Sequence, residues 1–270
     1  MRSIMKILIT GGDGFIGRNL VSYLNQVEPD LEIDIVDKKS GTDCMDITDI
    51  SEYTSVIHLA ALASIGECMK DMDMAIRDNI LISFKLFQAR NPHRIPIVFA
   101  SSQAAKTPEA NFYASCKRIV ELEGKRINDT EFADIRSLRF TNVYGGIDYL
   151  KDKTTVVQKF ITNANKKEIP VVNGNGTQTR DFIHVNDICK AIHLTMTSNR
   201  VLEEPIDIGT GIETSVVGLM DMIKTTFTFD WKSSMVGVMR NVADTHDALE
   251  IYDFDAEMRL LDYIKKERII

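Results

Sequence analysis

Short runs of β-branched and other apolar residues alternate with longer segments of helical periodicity through the first half of the chain. The short runs predict five strands, at Ile4–Ile9, Ile33–Val36, Val56–Leu59, Ile97–Ala100 and Ile135–Phe140. Apolar residues then recur at helical spacing from Ile16 to Val27 and from Ile76 to Phe87, which predicts helices. Strands that alternate with helices are typical of an α/β fold with a parallel, doubly wound sheet.

The pattern becomes looser after Gly145. A helix is predicted from Thr154 to Lys166, a glycine- and asparagine-rich turn from Asn173 to Thr177, and further strands and helices follow. We expect residues 1–145 to form a nucleotide-binding domain of the Rossmann type, to which residues 182–210 return. Residues 146–270 are expected to form mainly a smaller α/β part that binds the substrate. Gly145 and Gly146 mark the candidate boundary, without a flexible Gly/Ser linker.

The composition of the 270 residues, 44% hydrophobic and 26% charged, is that of a globular protein with a substantial core, and it excludes a disordered chain, a collagen and a coiled coil. The 39 acidic residues outnumber the 32 basic ones, so the net charge is -7. A negative chain repels nucleic-acid phosphates and anionic lipid headgroups. We therefore expect a small-molecule partner, neither a nucleic acid nor a membrane, and any anionic ligand must be held by local donors.

The cysteines and the apolar segments indicate the compartment. Four cysteines lie far apart, with no Cys-x-x-Cys pair and no closely spaced histidine, so the sequence predicts neither a disulfide framework nor a metal site. Residues Met1–Thr10 lack the long apolar region and the cleavage site of a signal peptide. The longest nearly apolar stretch, Val56–Ile65, is too short to cross a bilayer. We expect a cytoplasmic, reduced protein.

Glycines follow the first predicted strand and open the first predicted helix. Gly12, Gly14 and Gly17 have the G-x-G-x-x-G spacing. Glycine permits the tight turn, lets the backbone approach a pyrophosphate and allows close packing of helix on strand, while the helix N-terminus faces the phosphate charge. An ordinary glycine turn is the alternative for this feature taken alone.

Asp37 ends the second predicted strand, twenty residues after Gly17. A carboxylate at this place accepts hydrogen bonds from both ribose hydroxyls and repels a 2′-phosphate, which favours NAD over NADP. Lys38 and Lys39 follow directly and leave NADP open. On its own, Asp37 could be an exposed strand-end acid. Combined with the glycine turn in one strand-helix-strand unit, it predicts a dinucleotide cofactor.

Tyr113 and Lys117 are one helical turn apart, which places the lysine ammonium beside the phenol. A phenol has a pKa near ~10 and is a poor base until a neighbouring cation stabilises the phenolate. Lys117, aided by an oxidised nicotinamide, is expected to lower the pKa of Tyr113, which then takes a hydroxyl proton while hydride leaves the same carbon. A half-buried tyrosine with a solvated lysine is the structural alternative.

Ser101 and Ser102 follow the fourth predicted strand, at the edge where ligands bind in such sheets. Ser102 is expected to hydrogen-bond the reacting oxygen and to complete a Ser-Tyr-Lys set. Helix caps or loop hydroxyls are the alternative for the two serines.

In these features the chain resembles a known family, the extended short-chain dehydrogenases/reductases, and in particular their NAD-dependent nucleotide-sugar epimerases and dehydratases. Further matching segments are Asp46-Ile47, His58–Ala61, Asn79, Leu138–Gly145 and Gln178–Val185. The resemblance implies the Rossmann fold, NAD as the cofactor and a nucleotide-diphosphate sugar as the substrate.

The resemblance also implies the residues of the site. The implied catalytic residues are Ser102, Tyr113 and Lys117. The implied cofactor-binding residues are Gly11, Gly14, Phe15, Ile16, Gly17, Asp37, Asp46, Ile47, Leu59, Ala60, Ala61, Tyr113 and Lys117. The implied substrate-binding residues are Ser102, Asn142, Arg180 and Arg240. The two arginines would hold the diphosphate, with a surface ion pair as the alternative for either. His184, Asp187 and the segment Ile206–Gly211 are expected to be structural.

Several residues depart from the family and narrow the reaction. Dehydratases carry an Asp-Glu pair directly after the catalytic hydroxyl, where this chain has Gln103 and Ala104. Reductases that make GDP-fucose have a cysteine after the serines and a histidine further on, where this chain has Gln103 and Ile147. C4 epimerisation is therefore the default. The loop Gln103–Phe112 is shorter than in relatives, which predicts an unusually open sugar pocket or an atypical substrate.

The sequence thus predicts an NAD-dependent nucleotide-sugar epimerase that inverts C4 through a transient 4-keto sugar, with Tyr113 as general base. An NAD(P)H-dependent 4-keto-sugar reductase and a non-catalytic dinucleotide-binding sensor are the alternatives. Relatives pair through two helices per subunit, one of which carries the Tyr-Lys motif, so a homodimer is expected by analogy. Ile119 and Leu122 could serve that interface or the core, and the core is the favoured use.

Overall fold

The computed structural model describes residues 5–131, 133–146, 155–230 and 238–267. Three positions used in the sequence analysis lie outside these described residues. They are Ile4 at the start of the first predicted strand, Ile147 after the paired glycines, and Thr154 at the start of the predicted helix.

The first half of the chain alternates strands and helices. Their bounds are β1 (Lys6–Thr10), α1 (Phe15–Val27), β2 (Glu32–Val36), β3 (Ser55–His58), α2 (Ile65–Lys70), α3 (Met72–Ile76), α4 (Ile82–Phe87), β4 (Ile97–Ser102), α5 (Phe112–Glu131) and β5 (Ile135–Phe140). A π-helical turn, Arg77–Leu81, joins α3 to α4, and a 3-10 turn, Gln103–Lys106, follows β4. All five predicted strands are present, and the predicted helix over 76–87 is interrupted by the π turn.

The second half contains shorter elements. Their bounds are β6 (Asn142–Tyr144), α6 (Val156–Asn165), β7 (Val171–Asn173), β8 (Thr179–Arg180), β9 (Phe182–His184), α7 (Val185–Thr197), β10 (Ile206–Ile208), β11 (Thr214–Ser215), α8 (Val216–Ile223), β12 (Thr228–Asp230), β13 (Arg240–Asn241), α9 (His246–Tyr252) and α10 (Leu260–Glu267). Among the described residues, no helix is both long enough and apolar enough to cross a membrane.

Six parallel strands form the main sheet, in the order β10-β5-β4-β3-β1-β2. The chain runs from β1 outward to β2, then crosses back to β3 on the other side of β1 and continues to β4 and β5. The ends of β1 and β3 therefore flank the point where the strand order reverses, and Thr10 lies opposite His58 there. Ligands of doubly wound sheets bind at such a switch point, outside the carboxyl ends of the strands.

Helices cover both faces of this sheet because its strands are apolar on both sides. Leu20 and Leu24 of α1 pack with Ile188 and Ile192 of α7 in the cluster on one face. Leu86, Phe87 and Val120, from α4 and α5, belong to the cluster on the other face. The helical spacing seen in the sequence therefore marks the buried stripes of these helices. This α/β sandwich fixes the strand ends that form the site.

The remaining strands form small sheets beside the main one. Strand β6 pairs with β9, β12 pairs with β7, and β8 lies between β11 and β13. A separate apolar cluster includes Phe160 of α6, Leu219 of α8 and Ile264 of α10. These elements place the start of β6 beside the carboxyl end of β5, where Asn142 N–H donates to the Asp181 carbonyl oxygen, next to β8, at 3.0 Å.

Gly145 and Gly146 form a tight turn after β6. Both have positive φ, 82° and 74°. A Cβ on Gly145 would lie 2.2 Å from His184 Nε2, and one on Gly146 would lie 2.3 Å from Asn19 Oδ1. The two glycines are therefore needed for the conformation and for close packing on both neighbours, and the turn is not a flexible linker.

The outward side of α5 corrects one expectation from the sequence. Ile119 and Leu122 are 43% and 51% exposed, whereas Val120 between them is fully buried. Ile119 and Leu122 are three positions apart and share the outward face of α5, whereas Val120 points into the core. The prediction that Ile119 and Leu122 serve the core is wrong.

Candidate active site

A cavity of about 930 Å³ opens beside the carboxyl ends of β1, β2 and β3. This volume is in the range of ligand-binding clefts. Eight of the expected site residues line it: Gly11, Gly14, Phe15, Asp37, Leu59, Ala60, Ala61 and Asn142. The cavity therefore joins the glycine turn, the end of β2, the segment after β3 and the start of β6.

The glycine turn fits closely between β3 and α1. Gly11 has a φ of 72°, and a Cβ there would lie 2.6 Å from the backbone nitrogen of Ala60. A Cβ on Gly17 would lie 2.4 Å from the carbonyl oxygen of Gly11. Gly11 thus lets the turn approach the chain leaving β3, and Gly17 lets α1 pack against the turn.

The start of α1 faces the cavity with its backbone. Gly14 is the N-cap residue of α1 and lines the cavity together with Phe15. Ile16 packs its side chain into the apolar core, and neither it nor Gly17 lines the cavity. The N–H groups of a first helical turn have no acceptor within the helix, and together with the helix dipole they form an anion site that suits a pyrophosphate.

Asp37 is held by two backbone groups at the end of β2. Its Oδ2 accepts from the N–H of Asp13 at 3.0 Å, and its Oδ1 accepts from the N–H of Lys39 at 2.9 Å. A carboxylate has about four lone-pair sites, so it retains acceptor capacity toward the cavity that it lines. Asp37 is therefore placed and oriented to accept ribose hydroxyls.

The two lysines after Asp37 are engaged elsewhere. Lys38 Nζ forms an ion pair with Asp78 at 2.6 Å, and Lys39 Nζ donates to the carbonyl oxygen of Asp13 at 2.8 Å. A 2′-phosphate at this place would meet the carboxylate of Asp37 and would have to displace both lysines from their partners. The arrangement therefore favours NAD over NADP.

Two residues that were expected to bind the cofactor, Asp46 and Ile47, do not line the cavity, whereas Asp43 and Cys44 do. Residues Cys44–Asp46 form a 3-10 turn capped by the side chain of Asp43, and this turn leaves Asp46 exposed while Ile47 packs in the core. Because of this turn, Asp43 and Cys44 reach the cavity wall in place of Asp46 and Ile47.

His58 fixes the end of β3 below the cavity wall. Its Nδ1 lies 2.6 Å from Thr10 Oγ1, and its Nε2 lies 2.9 Å from Ser83 Oγ. Burial lowers the pKa of His58 to about 3, so the ring is neutral. These contacts tie β1, β3 and α4 together, so that Leu59 and Ala60 leave β3 in a fixed direction.

Tyr113 and Ser102 come together as the sequence predicts. Tyr113 lies in the first turn of α5, and its hydroxyl is hydrogen-bonded to Ser102 at the end of β4. Ser102 Oγ also accepts from the N–H of Ala104 at 3.2 Å, which orients the hydroxyl. Burial raises the pKa of Tyr113 to about 12, and the Ser102 hydrogen bond opposes this rise.

Lys117 lies near Tyr113, but its ammonium is bound to the main chain of β4. Its Nζ lies 5.9 Å from the centroid of the Tyr113 ring and donates to the carbonyl oxygen of Ala100 at 2.7 Å. Only 3% of Lys117 is exposed, and burial lowers its pKa to about 8. Burial is the first cause of the raised pKa of Tyr113, and Lys117 is not among its causes. The expectation that Lys117 lowers this pKa together with an oxidised nicotinamide stays a prediction.

The three expected catalytic residues do not line the 930 Å³ cavity. Ser102, Tyr113 and Lys117 lie together at the carboxyl end of β4, two strands away from the glycine turn on β1. The carboxyl ends of parallel strands share one edge of a sheet, so both groups lie on the side where ligands bind.

Asp207 on β10, in the segment expected to be structural, holds the start of the short loop after Ser102, and this contact is absent from the sequence analysis. Its Oδ2 accepts from Gln103 Nε2 at 2.8 Å, Lys106 Nζ at 2.5 Å and the N–H of Asp244 at 2.9 Å. The 3-10 turn Gln103–Lys106, which is the first part of the shortened loop, thus has both ends bound to one buried carboxylate. No local sequence signal pairs residues 104 positions apart, so this contact could not be predicted.

A second buried carboxylate, Glu121, ties α5 to the end of β5. Glu121, one turn after Lys117, is buried and accepts from Arg139 Nε at 2.8 Å and Nη2 at 2.7 Å. It also accepts from Ser101 Oγ at 2.6 Å. Ser101 therefore has a structural role, which leaves Ser102 as the serine that contacts Tyr113.

The two expected arginines take up different positions. Arg180 is partly buried, and its Nη1 donates to the carbonyl oxygens of Thr179 at 2.7 Å and Val238 at 3.0 Å. Arg240 forms an ion pair with Glu213 at 3.0 Å on the exposed side of its strand. Arg240 thus has the surface ion pair that was its alternative, and the expectation that both arginines hold one diphosphate stays a prediction.

His184 and Asp187 are structural, as expected. His184 Nδ1 accepts from the N–H of Asn186 and caps α7, and burial lowers its pKa to about 4. Asp187 accepts from the N–H groups of Glu257 at 3.2 Å and Met258 at 3.1 Å. Both side chains are therefore used by the fold.

Residues 7–209 match the model of the NAD dependent epimerase/dehydratase family. The chain belongs to this family. A relative described as a putative UDP-glucose 4-epimerase, from Methanocaldococcus jannaschii, is 29% identical over 257 residues, which cover 83% of each protein.

The structure of this epimerase/dehydratase is also similar to solved members of the family. One is a UDP-N-acetylglucosamine 4-epimerase from Methanobrevibacter ruminantium M1 in complex with UDP-N-acetylmuramic acid, with a TM-score of 0.84 and 25% identity over 98% of this chain and 96% of that one. Another is the UDP-glucose 4-epimerase of Thermus thermophilus in complex with NAD, with a TM-score of 0.79 and 22% identity over 97% of both chains. The Rossmann-type fold is confirmed.

NAD is the cofactor of this epimerase/dehydratase, and the residues of the cavity fit it. A side chain at Gly11 would collide with the segment after β3, so glycine is needed there, and Gly11 and Gly14 line the cavity without side chains, as close approach of a pyrophosphate requires. Asp37 would hold the ribose of the bound cofactor, and Asp43 and Cys44 line the same cavity. Leu59 and Ala60, which line the cavity after β3, would lie toward the nicotinamide, which would supply the hydride acceptor.

Proposed function

We propose that this family member is a nucleotide-sugar 4-epimerase. The observation that carries the proposal is the place directly after Ser102. There Gln103 is 4% exposed, and its Nε2 donates to Asp207 Oδ2 and to the carbonyl oxygen of Val242, both at 2.8 Å. Removal of water from the sugar needs an acid at this place, and Gln103 and Ala104 supply none. The Ser102–Tyr113 pair can still take a hydroxyl proton and return it.

Tyr113 and Ser102 have separate roles in C4 inversion. Tyr113 takes the proton of the C4 hydroxyl and later returns it, and Ser102 hydrogen-bonds the same oxygen. When bound, NAD supplies the hydride acceptor, so that the 4-keto sugar can turn over before the hydride returns to its opposite face. Tyr113 must give up its own proton first. Its pKa of about 12 can fall when the Lys117 ammonium turns from Ala100 toward the phenol.

We assign the cofactor to residues 1–145 with 182–210, and the substrate mainly to residues 146–270. Asn142 lines the cavity, and its backbone N–H donates to Asp181, the residue that follows Arg180. A protein of net charge -7 needs such local donors for a diphosphate. UDP-sugars are the first candidates because the relatives named above are described by UDP-sugars.

The test is an assay of purified protein with UDP-, dTDP- and GDP-sugars, in which C4 inversion is followed by NMR. We expect inversion of one of them without net consumption of NAD, and at least a ~10³-fold loss of rate in Tyr113→Phe. Tyr23→Phe, which removes a hydroxyl from a ring that packs against His193, is the matched control and should keep the rate. An inactive wild-type protein across the panel would refute the proposal.

A 4-keto-sugar reductase is the second candidate, and one observation favours it. The raised pKa of Tyr113, about 12, keeps its phenol protonated at neutral pH, and a reductase needs a proton donor there. Absorbance of the reduced nicotinamide separates the two reactions. Stoichiometric loss of NADH or NADPH with a 4-keto sugar indicates a reductase. Retained NAD binding with no turnover of any sugar would instead indicate a dinucleotide sensor.

We further propose that the protein is a homodimer. Ile119 and Leu122 of α5 are exposed, as are Ile76 at the end of α3 and Leu81 in the π turn beside α5. We call these four residues the α5 face. Exposed apolar side chains grouped on two neighbouring helices are typical of an interface, and a second copy of this chain offers the same face. We place the protein in the cytoplasm, where its four buried thiols stay reduced.

A further inference from the structure

A cation lines the cavity directly after the residue that is expected to hold the ribose. Lys38 follows Asp37 and begins the 3-10 turn Lys38–Ser40 at the end of β2. A cation beside the ribose of adenosine is suited to a 2′-phosphate, the group by which NADP differs from NAD. Because the family is NAD dependent, we expect the charge of Lys38 to be taken up within the protein.

Asp78 takes up this charge. Its Oδ1 lies 2.6 Å from Lys38 Nζ, although the two residues are 40 positions apart in the sequence. Asp78 belongs to the π-helical turn Arg77–Leu81 and lines the same cavity as Lys38. The side chain of Asp78 is 15% exposed, so water screens its charge less than that of an acid on the open surface. The ion pair thus joins two segments of the cavity wall.

Arg77 fixes the carboxylate of Asp78 in this position. Its Nη1 lies 2.6 Å from Asp78 Oδ1, and its Nη2 lies 2.5 Å from Asp43 Oδ2. Asp43 also lines the cavity, so the planar guanidinium ties both acids to one wall. Isolated surface ion pairs contribute little, whereas linked ion pairs of good geometry hold their side chains in place. The π turn, a rare element that is frequent at functional sites, supplies both Arg77 and Asp78.

We infer that Asp78 is a specificity-determining residue for the cofactor, because it engages the cation that would otherwise neutralise a 2′-phosphate. NADP would have to break the Lys38–Asp78 ion pair, and the carboxylate left behind would add to the repulsion by Asp37. NAD has a hydroxyl at this place and requires neither change. Asp37 therefore repels a 2′-phosphate directly, whereas Asp78 acts through Lys38. This inference concerns the cofactor and is independent of the sugar reaction.

The test is competition between NAD and NADP for the full-length protein, with the bound dinucleotide identified by native mass spectrometry. The measured quantity is the ratio of the two dissociation constants. We expect Asp78→Asn to shift this ratio toward NADP by at least about tenfold, the effect of one contact between a cation and a phosphate. Adding Lys38→Met to Asp78→Asn should return the ratio to within about threefold of the wild-type value, because the released cation is then absent.

Asp49→Asn is the matched control for the loss of a charge. Asp49 forms an ion pair with Arg90 at 3.1 Å and does not line the cavity, so this variant removes the same charge and one ion pair at another place. It should leave the ratio within about twofold of the wild-type value.

A second neutral variant guards against a folding defect at the π turn. Asp78→Ser repeats the test with a smaller side chain, and NAD binding by each variant shows that the fold is intact. A wild-type ratio in either folded neutral variant would overturn the inference, as would a shift that persists in full after Lys38→Met is added. A wild-type protein that prefers NADP would overturn it as well.

Discussion

Lys117 Nζ donates a hydrogen bond to the carbonyl oxygen of Ala100 at 2.7 Å and lies 4.7 Å from the centroid of the Phe99 ring. The ammonium is thus held between the end of β4 and an aromatic face, away from bulk water. Glu121, one helical turn further on, raises the pKa of Lys117, but burial is the larger effect and lowers the pKa to about 8. Such a lysine makes the stability of the protein depend on pH.

We expect the wild-type protein to gain stability relative to Lys117→Met as the pH rises from about 8 to about 10.5. The pKa of Lys117 is about 8 in the folded protein against a reference value of 10.5, so in this window the unfolded state binds more protons. The free energy of unfolding therefore rises with pH, by at most about 3 kcal/mol in total. Urea unfolding of both proteins at several pH values measures the difference.

Lys125→Met is the matched control for this measurement. Lys125 is on the same helix, its side chain is 38% exposed, and a hydrogen bond to Glu204 raises its pKa, so below about pH 9.5 it stays charged in both states. Its variant should differ from wild type by an amount nearly independent of pH between about 8 and 9.5, where the wild type already gains stability relative to Lys117→Met. A pH-independent difference for Lys117→Met as well would contradict the buried position of the ammonium.

The hydrogen bond from Gln103 to Asp207 predicts that an acidic residue directly after Ser102 destabilises the protein. In Gln103→Glu, a second carboxylate would lie at the place of the amide that now donates to Asp207 Oδ2 at 2.8 Å. A buried donor is lost and two like charges meet, so we expect a loss of about 2 to 4 kcal/mol in the free energy of unfolding. Denaturant unfolding measures it, and no dehydratase activity should arise.

The double variant Gln103→Glu with Asp207→Asn tests the cause. An asparagine amide at 207 can donate to the new carboxylate, which restores the hydrogen bond with its direction reversed. We expect the double variant to recover part of the stability lost by Gln103→Glu. Additive losses in the two single variants and the double variant would show that the two side chains do not interact.

The fold could be predicted from the sequence because its signals are local. The strand from Ile97 and the helix after Gly14 each follow from the spacing of apolar residues within a few positions, and a parallel sheet with crossover helices then has few arrangements. The glycine turn and Asp37 were also predictable, since both are read from neighbouring positions in one strand-helix-strand unit. The cavity accordingly contains most of the expected cofactor residues.

The features of the site that the sequence did not predict depend on contacts between residues that are far apart in the sequence. The face on which Arg240 lies is set by the register of β13 against β8, and its neighbour Asn241 takes the place beside Arg180. A shift of one residue along a strand moves a side chain to the opposite face. The rise in the pKa of Tyr113 was not predicted for a different reason. It is caused by burial, which depends on the packing of the whole protein and not on the spacing between Tyr113 and Lys117.

The contacts of Asp37 predict a measurable cofactor preference. We expect Asp37→Asn to raise the Kd of NAD by about tenfold and to reduce the discrimination against NADP, because the variant loses a charged acceptor for the ribose and the repulsion of a 2′-phosphate. The asparagine Oδ1 can still cap the turn at Lys39. Titration of both dinucleotides, followed by protein fluorescence, gives the two constants.

Asp30→Asn provides the control, since Asp30 is exposed in the turn before β2 and does not line the cavity. It removes the same charge from the protein and should leave both constants within about twofold. Equal affinities of wild type and Asp37→Asn for NAD would mean that the carboxylate does not contact the ribose.

The α5 face predicts that one substitution separates the dimer. In Leu122→Arg, a charge replaces a side chain that is 51% exposed in the single chain and that a second copy would bury. We expect the dimer dissociation constant to rise by at least about 100-fold, because burying an unpaired charge costs several kcal/mol. Ile169→Arg changes an equally apolar residue, 58% exposed before β7, and should leave the dimer intact. Sedimentation velocity across a range of concentrations measures both, and a wild-type protein that sediments as a 30.4 kDa monomer throughout would refute the interface.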